Sequence, residues 1–170
     1  MHTGASLQER VLELVFAPLE NPGLLPELLP LILGAFVIEL YFGKHVNESL
    51  GWNTSVGNAV LWVATGLNLL LAGAIDTATE RYAAYFLVTA GAFVGYMDFY
   101  HKWSPGIAFR ASSADIVYPL AYVTVVVVQT GLPVDATMMK ASGAFILGSL
   151  VFFRALRMIE VPARPGIQVR

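Results

Sequence analysis

Asp98 and His101 stand three residues apart and project from nearly the same side of a helix. With Glu39 or His45, such a carboxylate and imidazole could bind a divalent metal or relay a proton. That makes Glu39, Asp98 and His101 the candidate catalytic groups, and Asp98, His101 and His45 the candidate metal ligands. The spacing alone has little specificity, because an aspartate and a histidine three apart arise often by chance. The chain has no HExxH, no GxSxG and no glycine-rich phosphate loop. It has no cysteine, which excludes thiol catalysis, disulfides, cysteine-ligated zinc and iron–sulfur clusters. No cofactor is expected.

The segments that must position these groups are apolar and long. Five stretches, at about 24–43, 57–75, 82–100, 116–132 and 137–155, approach the roughly 20 residues that a helix needs to cross a bilayer. Charged residues make up 13% of the chain and apolar residues 56%, too little polar surface to cover a water-soluble domain. The mean hydropathy of +0.65 agrees. The sequence therefore predicts an all-α polytopic membrane protein, a single domain over 1–170 built as a bundle of five transmembrane helices in a lipid bilayer. The valine-rich fourth segment would suit a buried strand elsewhere, but a lone strand in lipid would leave its backbone donors unsatisfied. The net charge of −2 and the lack of a basic run with interleaved aromatics argue against a nucleic-acid partner.

Before the first span, residues 6–18 read as a short amphipathic interfacial helix rather than a secretory leader. Ser6 and Glu9 make a capping box, and Leu7, Val11, Leu14 and Val15 oppose Glu9, Arg10 and Glu13. Asn53, Thr54 and Ser55 look like the cap of the second span, and His101 to Asp115, after the third span, like the longest connection in the chain. Residues 160–170, with two prolines and a glycine, read as a flexible cytoplasmic tail. Lys44, Lys102, Arg110, Arg154, Arg157, Arg164 and Arg170 collect on one side of a five-span topology, against Arg10, Arg81 and Lys140 on the other. The excess of basic residues predicts a cytoplasmic carboxyl terminus and an amino terminus outside.

Polar side chains at membrane depth each cost a few kcal/mol unless paired or hydrated, so each needs a reason. Glu39, Asp98 and Arg154 are expected in one layer, where the plainest role is an ion-pair network fixing helix register. Tyr118, Tyr122 and Gln129 form a polar stripe on the fourth span, and Asn58 and Thr65 a similar line on the second, with Asn68 offset to one side. Interhelical hydrogen bonds worth about 1 kcal/mol explain both, and a solute or proton path is the rarer alternative. Gly91 and Gly95 form a GxxxG pair expected at a close helix contact, with Ala144 and Gly148 as a second small-residue face.

The function expected from this is a non-enzymatic, multi-pass structural or accessory subunit, a homo-oligomer or a member of a larger membrane complex. One alternative is a small transporter or ion-conducting protein using Glu39, Asp98 and the Tyr118, Tyr122 and Gln129 stripe. Another is a membrane-embedded enzyme acting on a lipid or isoprenoid. A dry, paired interior favours the first, and a polar cavity reachable by substrate favours the others.

Overall fold

A computed structural model describes residues 5–44, 51–72 and 75–159. Among them there is no strand. The order is α1 (Leu7–Glu20), a 3-10 turn at Pro22–Leu24, α2 (Leu25–Lys44), α3 (Trp52–Leu71), α4 (Ala78–Phe99), α5 (Pro105–Ala111), α6 (Ala114–Thr130) and α7 (Ala136–Ile159). Expectations for residues 160–170 and for His45 fall outside the described residues.

Local chemistry explains the boundaries. The Ser6 amide donates to the Glu9 carboxylate at 2.7 Å and the Glu9 amide to the Ser6 hydroxyl at 3.2 Å, the reciprocal cap that starts α1. Thr77 and Glu80 start α4 in the same way. Gly131 at φ +64° closes α6 in the left-handed conformation that glycine adopts without a steric penalty. Two boundaries differ from expectation. α3 begins at Trp52 with Gly51 as its cap, so Ser55 lies inside the helix and is buried. The loop expected between 101 and 115 contains α5, whose Pro105 occupies a first-turn position where its missing donor costs little.

The cap of α1 carries a pH dependence. Accepting hydrogen bonds from Ser6, the backbone one first, holds the Glu9 carboxyl below the ordinary carboxylate value. A depressed folded-state pKa gives stability that is present above the unfolded value and lost as pH falls through the folded one. Acidification through that window is therefore expected to fray the first turn of α1 and lower the amide protection factors of Glu9 and Arg10. The middle of α6 should keep its protection. Equal protection at Glu9 in neutral and acidic solution would remove the carboxylate from the cap.

Among the described residues, four helical segments are long and apolar enough to cross a membrane: Pro22–Lys44, Trp52–Leu71, Pro105–Thr130 and Ala136–Met158. The expected count of five is thus one too high by composition. The remaining long helix, α4, has 22 residues, but Glu80, Arg81, Tyr82, Tyr85, Tyr96 and Asp98 dilute its apolar character. It is nonetheless paired with α3 along its length in antiparallel fashion. Gly66 lies against Ala84 and Val88, Gly91 lies against Ala59 and Trp62, and Ser55 bonds Asp98.

α6 is the axis of the bundle. Val117, Val125, Val126 and Val128 are at most 2% exposed, and α2, α3, α4 and α7 all pack around them. In lipid the gain is close dispersion contact rather than removal from water, and short β-branched side chains suit tight helix packing. α2 and α7 run parallel to each other and antiparallel to α6. Gly34 faces Tyr118, and Phe145 stacks on Tyr122 with ring centroids 5.1 Å apart. α1 does not stand apart from this bundle. It packs on α7, Leu14 and Ala17 are buried, and the Tyr122 hydroxyl donates to the Leu14 carbonyl at 2.9 Å.

Candidate functional site

Where α2 ends, α6 begins and α7 ends, three charged side chains converge. Arg157 Nε donates to Glu39 Oε2 at 2.5 Å, and Arg157 Nη2 donates to Asp115 Oδ1 at 3.2 Å. Glu39 is 1% exposed, so its carboxylate depends on that guanidinium for compensation. Asp115 also sits in the first turn of α6, where the positive end of the helix favours an anion. Arg154 stands further off, its Nε 4.0 Å from Asp115 Oδ2 and its side chain 66% exposed.

Asp98 belongs to a different cluster. It is fully buried and accepts from the Ser55 hydroxyl and from the Trp103 indole N–H. Ser55 in turn bonds the Ser112 hydroxyl, and Asn58 Nδ2 donates to the Ser112 carbonyl at 2.7 Å. This chain of neutral donors ties α3, α4 and the start of α6 together. Donors of this kind stabilise a buried carboxylate without a counter-charge at the same spot.

The single layer of Glu39, Asp98 and Arg154 therefore divides. Glu39 meets Arg157 and Asp115, Arg154 is at the edge of that group, and Asp98 is held by serine and tryptophan. Asp115 and Arg157 are the members that sequence reasoning missed. The available signal was the three-residue spacing of Arg154 and Arg157; choosing between them required knowing that α7 continues past 155.

The other candidates scatter. His101 is exposed, has φ +50° and stacks on Trp52 with centroids 4.0 Å apart, so its ring is used as an aromatic cover at the end of α4. Among the described residues no three of His, Asp and Glu gather where a metal could be held. Tyr118 and Tyr122 both line an apolar groove between α1, α2, α6 and α7, of which Gln129 is not a lining residue. Tyr118 packs on Gly34, Tyr122 bonds Leu14, and Gln129 Nε2 donates to Glu27 Oε1 at 2.7 Å. Asn68 is exposed, and its side chain joins no network among the described residues. Gly91 lies against α3 and Gly95 in looser contact with it, while Ala144 and Gly148 are exposed on α7.

The charged group opens into a cavity of about 810 Å³ between α2, α5, α6 and α7, with Arg110, Ser113, Asp115, Arg154 and Arg157 on its polar side. Ile38, Phe42, Phe109, Ile116 and Leu150 form its apolar walls. Fold and site together define an all-α membrane bundle with one arginine-rich end. No protein family, curated protein or solved structure matches this chain.

Proposed function

We propose that the protein is a non-enzymatic multi-pass membrane protein, a structural or accessory component that keeps a rigid helical bundle in place within a larger assembly. The observation that carries this reading is how the interior polar groups are used. Trp62, Asn58, Ser55, Asp98, Tyr122 and Gln129 each hydrogen-bond a residue of another element, which fixes helix register. α6, buried along most of its length, fills the centre of the bundle, and the polar cavity lies to one side of it at the end where α6 begins. The exposed Ala144 and Gly148 on α7 offer a flat face on which another helix can approach.

The orientation belongs to the same proposal. Lys44, Lys102, Arg110, Arg154 and Arg157 all lie at the end of the bundle where α2, α4 and α7 finish, and this end is assigned to the cytoplasm. The start of α2 then lies on the outer side. Photo-crosslinkers at Gly148 in native membranes, with reporter fusions after Ile159, test the two parts. A protein adduct of defined mass and an inside-facing reporter are expected. Lipid adducts alone at Gly148 would sink the subunit reading, and an outside-facing reporter the orientation.

A further inference from the structure

The arginine-lined cavity is not the only opening on the seam between α2, α6 and α7. Farther along the same three helices lies an apolar groove of about 240 Å³, with Val15 and Pro18 of α1 as an extra wall. The linings share a stripe on each helix. Ala35 and Phe42 on α2 are seven residues apart, Tyr118 and Asp115 on α6 three, and Phe153 and Arg157 on α7 four. From Phe145 to Arg157 the helix rises about 18 Å, about three-fifths of the roughly 30 Å hydrocarbon layer.

From this continuity we infer that the seam binds an anionic amphiphile: a phosphate-bearing lipid with its head among Arg110, Arg154 and Arg157 and its chain along the groove. The charge at the mouth supports an anion. Arg157 already answers Glu39 and Asp115, which leaves Arg154, 4.0 Å from Asp115, and Arg110, whose guanidinium has no ionic or hydrogen-bonded partner among the described residues. The first turn of α6 lines the same mouth. Its Ser113 hydroxyl donates to the Arg110 carbonyl at 2.9 Å instead of capping the helix; the Ile116 amide is taken by the Ser113 carbonyl, and the Ala114 and Asp115 amides have no acceptor among the described residues. The apolar walls would be idle for a soluble phosphate, and the arginines idle for a neutral lipid. The inference stands whether or not the protein serves as a subunit.

The test uses the full-length protein in phosphatidylcholine nanodiscs, titrated with dioleoyl phosphatidic acid, with short-chain dihexanoyl phosphatidic acid or with inorganic phosphate. Melting temperature and native mass spectrometry are the readouts. Retention of the long-chain acid and a raised melting temperature are expected, with inorganic phosphate far weaker. Replacing the two exposed arginines together, Arg110→Gln with Arg154→Gln, should weaken the long-chain acid by about tenfold or more. Ser149→Leu, which adds bulk to the groove, should weaken the long-chain acid and spare the short-chain one. Equal retention of phosphatidylcholine and phosphatidic acid would overturn the proposal, as would a folded double-arginine variant of unchanged affinity. Inorganic phosphate matching the long-chain acid, with Ser149→Leu silent, would replace the lipid site with a soluble-phosphate site.

Discussion

Gly91→Leu is expected to break the pairing of α3 and α4 and leave little folded protein in detergent, while Gly95→Ala should melt close to the parent. A Cβ at Gly91 would stand 2.8 Å from the Ala59 carbonyl oxygen and 2.9 Å from Trp62 Cβ, closer than real contacts allow. Both atoms are fixed to the α3 backbone and cannot swing aside, so the helices themselves would have to separate. Overpacking of this kind costs about 1–3 kcal/mol for a modest enlargement, and leucine is a larger one. The damage would spread, because the Trp62 indole donates to the Val117 carbonyl at 2.8 Å and so locks α3 to the central helix. At Gly95 the nearest atom to an added Cβ is Ala59 Cβ at 3.5 Å, an ordinary contact. Thermal melts of Gly91→Ala, Gly91→Leu and Gly95→Ala separate the positions. Alike melts for the two alanine variants would mean that the close approach at Gly91 is absent.

The same glycines show how far the sequence could be read. A GxxxG pair says that some helix comes near, and the partner proves to be α3 of the same chain; nothing in the motif names the partner. Helix class, the capping box at Ser6 and the apolar lengths were legible because each depends on residues close in sequence. The clusters were not, because depth along a helix and the face it turns inward are tertiary facts. Asp98 and Glu39 look alike as acids near a basic residue, yet one ends among serines and an indole and the other on a guanidinium. Arg157 was hidden by the length of α7, one turn longer than apolarity suggested. α4 shows the opposite limit: its composition falls short of a lipid-facing helix, while its packing on α3 carries it the length of the bundle.

Arg157→Gln should be the most damaging of the charge changes, since it leaves Glu39, 1% exposed, and Asp115 beside each other without their shared cation. Removing one partner of a buried pair costs about 3–5 kcal/mol, mostly from the uncompensated charge that remains. Combining it with Glu39→Gln should recover much of the loss, because the more deeply buried carboxylate is then gone and Asp115 still faces Arg154 at 4.0 Å. The shortfall from additivity is the direct measure of contact. Arg154→Gln alone should cost no more than about 1 kcal/mol, as expected for an exposed and distant pair. Asp98→Asn and Arg154→Gln, which share no contact, should add when combined. Melting temperatures of these variants in one detergent decide the matter. If Glu39→Gln and Arg157→Gln are additive while Asp98→Asn and Arg154→Gln compensate each other, the charges are paired across the bundle in the other way and the arginine-lined cavity loses its central arginine.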